Sequence, residues 1–127
     1  MSRMPREELM GVLRACACMM GTFPWGEGVT TFEAFSRGLP VVVLPTRITV
    51  EQLTLGQIRE LRLEEELVAV TIDEYVNKVV RFGKSKEWRR RVGGLILERG
   101  ERLFGERQKL EVISEYQSFF QRAVSAL

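Results

Sequence analysis

A chain of 127 residues has the length of one domain and can bury a real core. Its 45% apolar and 28% charged residues are those of an ordinary globular protein. A net charge of +2, with no basic run longer than Arg89-Arg90-Arg91, argues against a nucleic-acid partner, and no apolar stretch approaches the ~20 residues needed to cross a bilayer.

Histidine is absent, so no imidazole base is available within this chain. The two cysteines, Cys16 and Cys18, lack metal-ligand spacing, and two residues apart on one strand they are badly placed for a disulfide. Both read as buried thiols in a reducing compartment. The early charges Arg3, Arg6, Glu7 and Glu8 are not those of a signal peptide. The expected location is the cytoplasm, with the nucleus as the other compartment open to it, and no membrane partner is expected.

In chain order, Pro5 to Arg14 reads as a short helix, with proline at its start and Leu9, Val12 and Leu13 as an apolar stripe. Ala15 to Gly21 is a small apolar run, as in a strand buried on both faces. Thr22 to Val29 is a loop rich in Gly and Pro that carries Phe23 and Trp25. Thr30 to Arg37 is a helix, closed by Gly38 and by Pro40 just beyond. Val41 to Leu44 is a second buried strand, stopped by Pro45. Thr49 to Leu61 is helical, with Leu53, Ile58 and Leu61 on one side and Gly56 as a weak point. Leu67 to Thr71 is a third strand. Asp73 reads as the N-cap of a helix over Tyr75 to Phe82, with Val76, Val79 and Val80 inward. Ser85 to Leu103 is a long helix in which Gly93 and Gly94 weaken the element or admit another backbone. Gly105 separates it from a last helix, Arg107 to Ala126.

This alternation predicts an α/β fold, a short parallel sheet flanked by helices with a helical C-terminal tail. Three strands make a thin sheet. A full Rossmann-like half carries more strands upstream, so the chain reads as the C-terminal part of a domain: one partial domain, with its α/β part over 1–71 and C-terminal helices over 72–127.

The chemistry concentrates in Gly26-Glu27-Gly28-Val29-Thr30-Thr31-Phe32-Glu33. In open α/β sheets ligands bind beyond the carboxyl ends of the strands. Here the loop leaving the first strand runs into a helix N-terminus, where unpaired N–H groups and the positive end of the helix dipole suit a phosphate. Gly26 and Gly28 allow close backbone approach. Thr30 and Thr31 offer hydroxyls, and Glu33 offers a carboxylate to a ribose diol. The same residues have a purely structural reading, because Thr30 with Glu33 has the spacing of a capping box.

The pattern as a whole resembles the C-terminal nucleotide-sugar-binding half of GT-B glycosyltransferases, most of all the catalytic region of protein O-GlcNAc transferases and their Spindly-like relatives. It runs from Pro24 through Phe35, then Gly38-Leu39-Pro40-Val41-Val42, Leu44-Pro45, Gln52 to Gly56, Asp73 to Val76, the Trp88-Arg89-Arg90-Arg91 helix and Leu103-Phe104. The resemblance implies that Thr30 and Thr31 contact the donor diphosphate, that Glu33 holds the ribose, and that Gly28 and Val29 wall the phosphate loop. The implied donor is UDP-GlcNAc, ahead of GDP-fucose, and the implied acceptor is Ser or Thr of proteins. No metal or further cofactor is implied, since the helix N-terminus carries the charge. No catalytic base is assigned.

Some positions depart from that family. Gly21-Thr22-Phe23-Pro24 stands where an Asp-Pro-Phe-Pro-like stretch is usual, and Val29 stands where animal enzymes carry histidine. Those enzymes have an arginine near the position of Gln52, and Thr46-Arg47 stands where a glycine is usual. The resemblance also implies that an N-terminal acceptor half, supplied upstream or by a partner chain, completes the cleft. Tyr116, Phe119 and Phe120 would then either pack on that half or close the local core. The alternative is a non-catalytic nucleotide-binding or partner-binding module.

Overall fold

The computed structural model describes residues 4–23, 26–46 and 53–125. Pro24, Trp25, Arg47, Gln52, Ala126 and the expected helix start at Thr49 lie outside them. Helix α1 (Arg6–Ala15) enters through Pro5, whose fixed φ suits the position. Strand β1 (Met19–Met20) follows, then α2 (Val29–Phe35) and β2 (Val41–Val42). Helix α3 (Leu53–Leu61) leads to the single turn α4 (Glu64–Leu67), and α5 (Ile72–Lys84), α6 (Lys86–Arg99), α7 (Glu101–Phe104) and α8 (Glu106–Ser125) complete the chain.

β1 and β2 are parallel, Met19 opposite Val41 and Met20 opposite Val42. A single parallel bridge, Val43 to Val68, adds the third position, with Val43 N–H donating to Leu67 O at 2.9 Å and Ala69 N–H to Val43 O at 2.8 Å. The α/β class and parallel sheet are as the sequence predicts. The strands are shorter. Ala15 still belongs to α1, Met20 is 53% exposed, and β1 has one neighbour among the described residues, so this run is not buried on both faces. The third strand shrinks to the Val68 bridge because Leu67 closes α4, Val70 is exposed and Thr71 caps the next helix.

The core gathers around β2. Val41, Val42 and Phe35 meet Ile58, Leu61, Leu63 and Leu67 from below and Tyr75, Phe82, Val92 and Ile96 from α5 and α6. One core therefore runs through both 1–71 and 72–127. The cysteines do not both join it: Cys16 is exposed after α1, while Cys18 is half-buried and packs against the core. Burial, with the neighbouring Cys16 adding and Arg89 partly opposing, pushes the Cys18 thiol up, so it stays protonated at neutral pH.

Local chemistry moves several boundaries. The N-cap of α5 is Thr71, not Asp73: Glu74 N–H donates to Thr71 Oγ1 at 3.2 Å, while Glu74 Oε2 accepts from Val70 N–H at 2.9 Å. This Thr71-x-x-Glu74 pairing is a capping box displaced by one residue. Together with Lys78 it holds the Glu74 carboxyl below its usual range. Ser85 caps α6 by accepting from Trp88 N–H. The long helix expected up to Leu103 breaks at Gly100, and α7 is a separate turn. The Arg89-Arg90-Arg91 run is not one solvated face. Arg91 pairs with Glu66 at 2.9 Å and, with Arg81, flanks the Trp88 ring, whereas Arg89 donates to the Phe82 and Gly83 carbonyls that end α5.

Gly38 ends α2 at φ +69°, and Leu39 N–H returns to Ala34 O at 3.0 Å, a Schellman-type closure. The same glycine touches α6: a Cβ at Gly93 would sit 2.7 Å from Gly38 O, whereas a Cβ at Gly94 would meet nothing. Gly93→Ala should therefore cost about 1–3 kcal/mol by overpacking. Gly94→Ala should gain about 0.5–1 kcal/mol of helix stability. Urea denaturation of the two variants checks the contrast, and shifts of the same sign would mean that the backbones are not in contact.

Candidate functional site

The segment leaves β1 at Gly21 and returns to the helix layer at Gly28, and its described ends are joined by hydrogen bonds to the Glu27 carboxylate. Glu27 Oε1 accepts from both the N–H and the hydroxyl of Thr22, each at 2.9 Å. Tyr75, buried on α5, donates its hydroxyl to Gly21 O at 2.9 Å and meets the Phe23 ring edge-on at 6.0 Å. Burial, with Glu27 and Cys18 adding, pushes the Tyr75 phenol up, which keeps it a donor.

The far end of the segment is held by α3. Thr54 Oγ1 donates to Glu27 O at 2.6 Å, and Gln57 Nε2 donates to Gly28 O at 3.3 Å. Thr31 Oγ1 lies 3.1 Å from Thr54 Oγ1. Because the single Thr54 proton is committed to Glu27 O, Thr31 is the donor of this pair. Thr31, Thr54 and Gln57 are all buried and form a polar seam within an apolar layer in which both threonine hydroxyls are hydrogen-bonded. Glu27 Oε2 and Gln57 Oε1 are buried acceptors with no partner among the described residues.

This seam disposes of the capping-box reading of Thr30. The residue before α2 is Gly28, which has no side chain with which to cap the helix. Thr30 is the second residue of α2, so its hydroxyl cannot reach N–H groups two or three positions ahead in the manner of an N-cap. The N–H groups of Val29, Thr30 and Thr31 have no carbonyl a full turn earlier within the helix, and the first such bond, from Phe32 N–H to Gly28 O, is long at 3.4 Å.

Each predicted site residue can now be located. Gly28 is half-buried, Val29 is 74% exposed and Thr30 is half-buried. Thr31 shares their backbone turn but turns its hydroxyl inward to Thr54. Glu33 lies one turn beyond Val29 and Thr30 on α2, with its side chain mostly covered, and accepts from Arg6 Nε at 2.9 Å, the arginine itself being exposed. Glu27, Thr54, Gln57 and Tyr75 were not foreseen. For two of them a signal existed. Thr54, Gln57, Ile58 and Leu61 share a helix face by their spacing, and two polar groups on an apolar face must find a polar partner. Among the described residues no three potential ligands come together to hold a metal ion, and no helix is long and apolar enough to cross a membrane.

Comparisons with known proteins bear on the fold and on this segment. No family model matches the chain. Two curated proteins named UDP-glucose:protein N-beta-glucosyltransferase, from Actinobacillus pleuropneumoniae serotype 5b (strain L20) and serotype 7 (strain AP76), are each 29% identical to it over 94 residues, or 74% of this chain and 15% of theirs. Among solved structures, a variant of Thermobaculum terrenum O-GlcNAc transferase matches with a TM-score of 0.83 at 24% identity, covering 96% of this chain and 23% of that one. The chain thus spans less than a quarter of the length of any of these relatives. Its fold is that of the C-terminal portion of a GT-B glycosyltransferase.

The seam makes a stability prediction separable from any ligand. Thr54→Val keeps the shape but strands the Glu27 carbonyl and the Thr31 hydroxyl, which should cost about 1–3 kcal/mol. Thr30→Val, which strands nothing, should stay within about 0.5 kcal/mol of the parent. Chemical denaturation of both variants checks this, and equal losses would refute the assignment of Thr54 as the tie between α3 and the loop.

Proposed function

We propose that this chain, built as the C-terminal part of a GT-B glycosyltransferase, is the donor-binding segment of a protein glycosyltransferase that moves a sugar from a nucleotide sugar to a protein. The observation that carries this reading is the uncapped N-terminus of α2 at the carboxyl end of β1, held open by the Thr22–Glu27 and Thr54–Glu27 hydrogen bonds.

The donor diphosphate would lie against the N–H groups of Val29, Thr30 and Thr31, with Gly28 and Val29 as the wall and the Thr30 hydroxyl as a further donor. Thr31 would act through its backbone, since its hydroxyl is engaged with Thr54. As the sugar–phosphate bond breaks, negative charge grows on the departing diphosphate. Fixed N–H dipoles stabilise that charge without reorganising, so no metal is needed in this reading. Glu33 would accept from the ribose diol, exchanging an exposed ion pair with Arg6 that contributes little by itself.

The names of the curated relatives favour a UDP sugar and a protein acceptor. They point to glucose on nitrogen, whereas the resemblance read from the sequence implies GlcNAc on Ser or Thr, so UDP-glucose and UDP-GlcNAc are both donors to test, ahead of GDP-fucose. Catalysis would require the rest of a GT-B enzyme, as an upstream segment or a partner chain. Two observations support that requirement. The carboxylates near the loop already have partners, Thr22 on one oxygen of Glu27 and Arg6 on Glu33. In α8, Phe120 stacks on Tyr116 and meets Phe119 edge-on while all three remain more than half exposed, so they do not close the local core and are free to meet another surface. The same exposed face supports the second reading, a non-catalytic module that binds a partner.

Calorimetric titration with UDP, GDP, UDP-glucose and UDP-GlcNAc tests the proposal. One nucleotide should bind. Glu33→Ala should weaken it by about 1.5–3 kcal/mol, the value of a hydrogen bond to a charged group. Val29→Pro, which deletes one N–H at a position where helices tolerate proline, should weaken it with little change in stability. A folded chain that takes up none of the four leaves the partner-binding module as the reading.

A further inference from the structure

At the amino ends of the strands, across the sheet from the α2 N-terminus, lies an open groove of about 460 Å³ between the end of α1, the turn after α2 and the middle of α6. Four arginines rim it: Arg14 from α1, Arg37 from the turn, and Arg89 and Arg90 from α6. Its lining contains no acidic side chain and no aromatic ring. Arg89 is occupied in ending α5. The guanidinium groups of Arg14, Arg37 and Arg90 are exposed and have neither an ion pair nor a hydrogen bond among the described residues. The floor is apolar, formed by Leu13, Leu39 and the close Gly38–Gly93 contact, with the 57% exposed Leu97 at its side.

Three like charges brought together from three elements repel one another in the free protein, and that cost is relieved by an anionic partner. The floor selects among anions. Single-stranded nucleic acid gains much of its affinity by stacking on aromatic rings, and none lines this groove. A free inorganic anion makes no use of leucine. A carboxylate pairs with a guanidinium through two parallel hydrogen bonds, and an aliphatic side chain between carboxylates covers the exposed Leu97 beside the Gly38–Gly93 floor. We propose that this groove docks an acidic segment of a partner protein, one in which glutamate or aspartate side chains flank aliphatic residues. The surface lies away from the donor site and does not depend on the glycosyltransferase reading.

The test uses the full chain and a labelled peptide of two leucines between paired glutamates, with its glutamine counterpart, oligouridylate and inorganic phosphate as the other probes. The glutamate peptide should bind at low salt and weaken as salt is raised. Its affinity should fall about tenfold or more in the Arg14→Ala/Arg37→Ala/Arg90→Ala variant and recover in part when lysine replaces the same three arginines. Thermal melting of the triple variant, whose changes are all at exposed positions, verifies that it is folded. Absence of peptide binding at low salt, equal binding by the triple alanine variant, equal binding of the glutamine peptide, or tighter binding of oligouridylate or phosphate would each overturn the proposal. UDP titration of the triple variant should match the parent, which separates this surface from the donor site.

Discussion

The hydroxyl of Thr54 holds the loop after β1 to the helices beside it. It donates to the Glu27 carbonyl and accepts from Thr31, so one buried oxygen ties the loop, α2 and α3 into a unit. Without it the loop would keep only the contacts of Gln57 with Gly28 and of Tyr75 with Gly21. Buried hydroxyls are tolerated only when satisfied, and here satisfaction requires three separate segments to be in register. The seam thereby fixes the end of the Gly-rich loop at Glu27 and Gly28. Gln57 extends the seam to Gly28, and Tyr75 holds the other end of the loop at Gly21.

A second constraint stabilises the middle of the molecule. The described sheet is small, two short strands and one bridge, and such a sheet is marginal without a covering layer. The cover comes from α5 and α6, whose Phe82, Val92 and Ile96 close over β2. The close approach of Gly38 and Gly93 sets how tightly α6 lies against the turn after α2. The Trp88 stack with Arg81 and Arg91, and the Arg91–Glu66 pair, fasten α6 to α5 and to α4. The cation–π contacts keep the ring covered while leaving the charges near water.

Electrostatically, the two ends of the strands are unlike. At the carboxyl ends the positive character comes from backbone N–H groups at an uncapped helix start, a short-range and directional source. At the amino ends it comes from full arginine charges over a leucine floor, which act at longer range and are screened by salt. Beyond both, α8 follows α7 across Gly105 and presents almost its whole length to solvent, with Leu110, Ile113, Tyr116, Phe119, Phe120 and Val124 exposed.

What the sequence by itself determined is what depends on neighbours along the chain. The α/β class, the parallel pairing, the Gly38 closure of α2 and the helical tail follow from periodicity, from one residue that favours positive φ and from glycine punctuation. The Gly26–Glu33 segment stood out as the candidate site because a glycine-rich turn into a helix is a local pattern. Tertiary structure decided the rest. Whether Thr30 caps the helix depends on where α2 starts, and the Glu27 and Gly28 contacts with Thr54 and Gln57 start it at Val29. The inward turn of Thr31, the pairing of Glu33 with Arg6 and the meeting of Arg14, Arg37 and Arg90 join residues more than twenty positions apart. No local preference encodes such contacts, because they exist only once the core around β2 has packed and brought those surfaces together.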